Sequence, residues 1–340
     1  MTQSSAFEGV ETAVALSELD RAIFVELQAD GRLPFTTLAE RIGVSEARVR
    51  RRVKSLTEAD VFSIAAVANP RVFGLDYMAW IGLVVRQPAA ARCADALVAM
   101  PEVDYVVISS GELNVMAEVA CPSAAALYRL LLRLRALPGV QRTETFVYLS
   151  LLHQQFRWSQ TGGPDEARPS RPTGVVGGAL ELDAIDLQLI RELQRDGRAS
   201  FRDLGARLGV SERVASGRFA RLLEENAVQV IAVGNPIMLG FTAMAWLGIS
   251  LSAGADSEAA ARALARVRGI DYVVVPSGRF DLMAELVCRN RDELLETLEL
   301  EVGAIDGIAQ VQTFLYLRLL YRSTAGAWSA ARSLAGTIRE

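Results

Sequence analysis

LAERIGVSEARVRRRVKSL (38–56) is the stretch on which the fold turns. Leu38, Ala39 and Ile42 recur at helical spacing and stop at Gly43, as a short helix ended by glycine does. Ser45 then stands where an N-cap belongs, and Val49, Val53 and Leu56 give a longer helix one buried stripe. A short helix, a glycine turn and a longer capped helix together predict a helix-turn-helix. Upstream, Ser17, Asp20 and the period Leu19, Ile23, Leu27 predict a first helix closed at Asp30-Gly31.

Opposite the buried stripe, a helical wheel places Ala47, Arg48, Arg51, Lys54 and Ser55 outward, with Arg50 and Arg52 on the flanks. The chain as a whole carries a formal net charge of −4, so this basic face is a local concentration and no general polycation effect. A lone charge run is usually solvated surface. Here the burial phase and the preceding glycine turn agree with a helix that enters the major groove. Arginine can bind guanine bidentately there, and further cations neutralise phosphate. Thr36, at the start of the second helix, joins Ser45 as a candidate DNA contact.

The same pattern returns. Residues 16–85 align with 182–251 at a constant offset of 166, with 27 identities in 70 positions. ELQADGR (26–32) becomes ELQRDGR (192–198), RIGVSE (41–46) becomes RLGVSE (207–212), and NP and MAW recur. Beyond residue 85 the offset is 167 for DYVV (104–107) and 168 for TFVY (145–148), slips expected to fall in loops. SQTGGPDEARPSRPTGVVGG (159–178) reads as a flexible linker. Such a linker reaches roughly 65–70 Å, so the copies can pair with each other or with other chains.

The second copy of the basic helix, SERVASGRFARL (211–222), is less charged. Its outward candidates are Arg213, Ser216, Gly217 and Arg221, with Val214 partly out, which predicts weaker binding or a different half-site.

After each helix-turn-helix the period changes from about 3.6 to 2. From residue 76 the order is β-α-β-β-α-β, the ferredoxin-like arrangement. The predicted fold is therefore α+β: two tandem copies of a winged-type helix-turn-helix domain plus a ferredoxin-like βαββαβ domain. The expected boundaries are 13–60 and 61–158, a linker at 159–179, then 180–226 and 227–325. SGELN (110–114) and SGRFD (277–281) sit at the central hairpins, where a plain turn also accounts for glycine and Asn or Asp.

Cys93, Cys121 and Cys288 show no paired spacing, and His153 is the single histidine, so metal or histidine catalysis has little material. No cofactor is called for. Trp80 and Trp246 read as core or interface anchors. No secretory leader pattern is seen and a cytoplasmic location is expected. The charge-free run 227–255 contains Asn235-Pro236 and several glycines, which favours strands over a membrane span.

With LDRAIFVELQADGR (19–32), LAERIGVSEARVRRRVKSL (38–56), NP with a following G (69–74), SGELN and LPGVQRTETFVY (137–148), the chain resembles the leucine-responsive/asparagine-regulator (Lrp/AsnC) family, twice over. The resemblance implies a regulator that binds double-stranded DNA and has no enzymatic activity. It also implies small effectors, often amino acids, near the SG-x-x-D hairpin. That hairpin is complete at Ser277, Gly278 and Asp281, whereas Ser110 and Gly111 are followed by Asn114 in place of the acid. The α/β domains are expected to build a homo-oligomer, a dimer or tetramer of chains. Siroheme decarboxylases look similar and include fused double units, so an enzyme is the rival. An effector-sensing assembly protein without DNA binding is the third reading.

Overall fold

The computed structural model describes residues 16–68, 70–154, 182–225 and 227–321. The linker predicted at 159–179 lies outside them. Each half opens with three helices: α1 (Glu18–Ala29), α2 (Phe35–Ile42) and α3 (Glu46–Glu58), then α6 (Ala184–Arg195), α7 (Phe201–Leu208) and α8 (Glu212–Glu224). Ser17 and Asp20 form a capping box on α1, as Asp183 and Asp186 do on α6. Gly43 and Gly209 end α2 and α7 in the left-handed conformation, at φ 77° and 69°. Ser211 caps α8 through Val214, but Ser45 occupies the N-cap position of α3 without a side-chain bond, so its hydroxyl stays available.

The strands that follow, β1 (Phe62–Ala68) and β6 (Val228–Gly234), pair antiparallel with each other, from Phe62 opposite Gly234 to Ala68 opposite Val228. Each follows its recognition helix as a wing strand does, but its pairing partner comes from the other copy. They form a ribbon that joins the two heads, and apolar residues of both strands pack into both helical cores.

The first α/β domain is β2 (Tyr77–Val85), α4 (Ala90–Val98), β3 (Val103–Ser109), β4 (Val115–Cys121), α5 (Ala124–Arg135) and β5 (Val140–Gln154). The second is β7 (Ala243–Leu251), α9 (Ser257–Leu264), β8 (Ile270–Pro276), β9 (Leu282–Cys288), α10 (Arg291–Glu296) and β10 (Ile308–Tyr321). Pairing of β5 with β8 and of β10 with β3 closes the two sheets into one eight-stranded barrel. Closure removes all four free edges. One chain thus contains the whole pairing that the length of the linker left open.

Strand alternation divides each sheet into two faces. Outward residues of β2 and β4 pack under α4 and α5, and those of β7 and β9 under α9 and α10. Inward residues of both sheets share a third core, in which Trp80 and Trp246 meet at 4.8 Å between centroids. The charge-free run 227–255 divides between β6 and β7, and among the described residues no helix is long and apolar enough to cross a membrane.

One expectation needs correcting. The slip from offset 167 to 168 falls inside a helix, not a loop: α10 continues into a π-helical turn at Thr297–Val302. Leu294 keeps the place of Leu127, and Val302 takes the place of Leu134. A π-turn absorbs one extra residue while both apolar anchors stay buried.

Candidate nucleic-acid interface and hairpin sites

α3 is held by its buried Val49, Val53 and Leu56 and by Arg52, whose guanidinium binds Asp20 at the start of α1. Burial opposes ionisation of Asp20, but hydrogen bonds from Arg52 and Ser17 outweigh it and hold the carboxyl below its ordinary value. Arg50 lies along Glu46 at 2.6 Å and over the Phe35 ring at 4.9 Å, and Lys54 stands 3.7 Å from Glu58. Both pairs are exposed and easily exchanged for phosphate. Arg48 and Arg51 are exposed and make no ion pair among the described residues. With Ser17, Leu19, Arg52 and Ser55 they line an open groove of about 360 Å³. Ala47, Thr36 and Ser45 are also exposed, so every residue of the first predicted set is accessible.

α8 is arranged differently. Arg218 repeats the place of Arg52 and binds Asp183 and Asp186 at 2.7 and 2.8 Å. Arg221, predicted to face DNA, instead reaches Asp186 at 2.5 Å and Glu225 at 3.2 Å. Its equivalent in α3 is Ser55, so the second head spends an extra arginine on its own scaffold. Arg213, Val214 and Gly217 remain exposed, and Ser216 is half-buried, its hydroxyl donating to the Arg213 carbonyl.

A contact set that the sequence reading missed fixes the two heads together. Arg32 donates to the carbonyls of Gly197 and Ala199 at 2.6 and 3.0 Å, and Arg198 donates to those of Gly31 and Leu33 at 2.7 and 3.0 Å. Each guanidinium also lies over an aromatic ring of the other head, Arg32 4.5 Å from Phe201 and Arg198 4.0 Å from Phe35. Gly31 and Gly197 let the backbones meet: a Cβ on either would stand within 3 Å of the other copy's ribbon backbone. The repeated DGR is therefore a reciprocal clasp. Its sequence signal was identity in both copies without a place in the helical stripe.

The two hairpins come together at the seam between the α/β domains. Ser277 donates its backbone N–H to the Val147 carbonyl at 2.7 Å and accepts from the Val147 N–H through Oγ at 3.0 Å. Ser110 makes the same exchange with Leu315 at 2.9 and 3.2 Å. Gly111 and Gly278 adopt φ of 97° and 118°, where a side chain is strained. Asn114 uses both ends of its amide on Val85, accepting at 2.8 Å and donating at 2.7 Å. Asp281, in the equivalent place, accepts only from the Leu251 N–H at 2.7 Å. Its other oxygen has no partner among the described residues. Between the hairpins, Arg279 binds Glu112 at 3.3 Å and Glu144 at 3.0 Å. His153 lies in β5 where it pairs with β8, a position at the seam.

Inside the barrel Tyr148 donates to Glu118 at 2.7 Å, and Tyr316 donates to Glu285 in the equivalent place. Burial pushes Glu118 up to about 8 and Glu285 up to about 7, each opposed by its tyrosine hydrogen bond. Trp246 donates to the Tyr105 hydroxyl at 3.2 Å across the seam. Its counterpart Trp80 Nε1 is buried without a partner among the described residues, and the Tyr272 hydroxyl is turned toward Glu118.

Comparison with known proteins agrees with this duplicated plan. The model of the AsnC-type helix-turn-helix domain matches residues 16–57 and 182–223, and that of the Lrp/AsnC ligand binding domain matches 78–157 and 242–325. The regulatory protein AsnC of Escherichia coli is 27% identical over 137 residues, 39% of this chain and 90% of its own length. The regulator FL11 of Pyrococcus abyssi is 29% identical over 137 residues, 40% of this chain and 91% of its own. These relatives are single units. The structure of the siroheme decarboxylase NirDL covers 95% of this chain and 100% of its own, with a TM-score of 0.60 and 18% identity, a likeness of fold alone. With both domain models matched in both halves, the chain belongs to the Lrp/AsnC family as a fused double unit.

Proposed function

We infer that the chain is a DNA-binding transcriptional regulator that responds to a small effector. A single chain carries both DNA-reading heads in fixed relation. The observation that carries the reading is that Arg48 and Arg51 are exposed and make no ion pair among the described residues, on a recognition helix anchored by Val49, Val53, Leu56 and Arg52. We assign the first head the larger share of DNA affinity through Thr36, Ser45, Ala47, Arg48, Arg50, Arg51, Lys54 and Ser55. The second head contributes through Arg213, Ser216 and Gly217, with Arg221 acting on the scaffold.

For the effector, the hairpin at Ser277, Gly278 and Asp281 is the better candidate, because Asp281 keeps a carboxylate oxygen for an ammonium group. Asn114 is uncharged and holds Val85 with both its oxygen and its nitrogen, and the hydroxyls of Ser110 and Ser277 are committed to the seam. Chains associate further through their α/β domains. The regulator reading assigns these domains no reaction.

The test is recovery of bound genomic fragments by purified protein at moderate salt, beside Arg51→Ala. Enrichment of a motif that the variant loses supports a sequence-specific regulator. No enrichment, together with visible absorbance from a co-purified macrocycle, would replace it with the decarboxylase reading.

A further inference from the structure

α5 and α10 occupy equivalent places outside the two sheets of the barrel, yet their exposed faces have opposite charge. Residues 124–135 contain three arginines and no acid, and residues 291–302 contain five carboxylates and one arginine. Each face also shows large apolar side chains to solvent. Tyr128 and Leu132 are 61% and 49% exposed on α5, and Leu295 and Leu300 are 54% and 65% exposed along α10 and its π-turn. Tyr128 and Leu132 lie one α-helical turn apart, and Leu295 on α10 and Leu300 on its π-turn both stand on the solvent side, away from the buried Leu294 and Val302.

The charges beside these stripes are free. Arg129 and Arg135 are exposed with no ion pair among the described residues, whereas Arg133 is held by Glu102 at 2.7 Å. Asp292, Glu296 and Glu299 are exposed with no ion pair among the described residues, whereas Glu293 is held by Arg289. The sheets lie on opposite sides of the barrel, so the basic and acidic helices of one chain face away from each other.

We propose that α5 of one chain docks on α10 of a second copy, head to tail. This rests on the reading that chains associate through their α/β domains, and names the surface. Tyr128 and Leu132 meet Leu295 and Leu300, while Arg129 and Arg135 face Glu296 and Glu299. The occupant is a second copy because the two faces complement each other in charge and in apolar stripe. A dimer of identical units would present the same face twice and repel itself here. The chain already shows such divergence across its own seam, where Glu112 and Arg279 hold equivalent hairpin positions and pair. Head-to-tail contacts close into a ring or grow as a filament, depending on the rotation between neighbours.

Sedimentation velocity of the full chain at low and high salt tests this. The wild type is expected to form assemblies larger than one chain that weaken as salt rises. Arg129→Glu with Arg135→Glu, and separately Glu296→Arg with Glu299→Arg, are each expected to weaken association at least about tenfold. All four changes in one chain are expected to restore it. A wild type that stays a single chain at high concentration in low salt overturns the proposal. So does an assembly that both reversals leave intact, or a fourfold variant that fails to reassociate. Arg48→Ala with Arg51→Ala is expected to lose DNA and assemble like wild type. Loss of assembly there would place the contact in the heads and overturn the α5–α10 docking.

Discussion

α3 and α8 hold equivalent positions and differ in what they keep. Inward, Val49, Val53 and Leu56 become Ala215, Phe219 and Leu222, all buried. The anchoring arginine persists as Arg52 and Arg218, bound to Asp20 and Asp186 in the capping boxes of α1 and α6. Outward, Arg48, Arg50, Arg51 and Lys54 become Val214, Ser216, Gly217 and Ala220. A homodimer cannot make this change on one side only. Fusion separates the constraint of packing, which both copies still obey, from the constraint of DNA contact, which on the proposed reading only the first strongly obeys. The clasp and the barrel interior should therefore respond symmetrically to mutation, and the DNA and chain-docking faces asymmetrically.

The largest expected effect breaks or confirms the asymmetry. Arg48→Ala with Arg51→Ala should lower affinity for a selected duplex by roughly 30- to 10⁴-fold, at about 1–3 kcal/mol for each base-reading arginine. Arg221→Ala should change it by less than about threefold, because its guanidinium is turned to Asp186. Fluorescence anisotropy at several salt concentrations measures both. Equal losses would show that the heads read DNA alike. The salt slope adds a check, since each phosphate contact removed lowers it by about one.

Next in size is the clasp. Arg32→Ala removes two charged hydrogen bonds and a ring contact, and Arg198→Ala removes their mirror images. Each should cost on the order of 2–4 kcal/mol of stability, with the two losses similar. Thermal and urea unfolding measure this. A large loss from one and none from the other would mean that the heads are not joined reciprocally.

Why the clasp was not legible locally is clear from its geometry. Arg32 finds its acceptors 165 and 167 residues away, in the other copy, and no local period encodes that. The helix-turn-helix was legible because its stripe, glycine turn and cap lie within twenty consecutive residues. The βαββαβ order was legible for the same reason. Barrel closure was not, because an edge strand looks alike whether its neighbour is solvent, another chain or its own repeat. The clue was equivalence: Glu118 and Glu285, and Tyr148 and Tyr316, recur at matched inward strand positions, where a lone polar residue would be costly. Of the predicted site residues, those of α3 are exposed, whereas Arg221 is drawn to an acid that the wheel did not include.

The barrel interior supplies a smaller, symmetric effect. Glu118 and Glu285 keep a proton in the folded state that the unfolded chain releases near its ordinary value of 4.5. The folded state binds more protons, so this contribution lowers stability as pH rises from about 4.5 through 7 to 8. Glu118→Gln keeps an acceptor for Tyr148 and cannot ionise. Both Glu118→Gln and Glu285→Gln should raise Tm relative to wild type at pH 8, with the gain shrinking toward pH 4.5. The gain should be larger for Glu118, which is pushed further. Variants that lose stability equally at both pH values would mean that the carboxyls are ionised in the folded barrel.

The smallest effect lies at the hairpins, where one atom distinguishes the copies. Asn114 satisfies both the N–H and the carbonyl of Val85, and Asp281 satisfies only the N–H of Leu251. Asp281→Asn should therefore add a backbone hydrogen bond, leave the fold intact and remove the free carboxylate oxygen. Binding of an amino acid that the wild type recognises should weaken roughly tenfold, as a charged hydrogen bond of about 1.5–3 kcal/mol is lost. Asn114→Asp makes the converse change in the first copy and frees the Val85 carbonyl, with a small loss of Tm. If calorimetry shows that Asp281→Asn binds the amino acid as well as wild type does, the acid serves only the turn. The two hairpins would then differ in how they close a strand and not in what they bind.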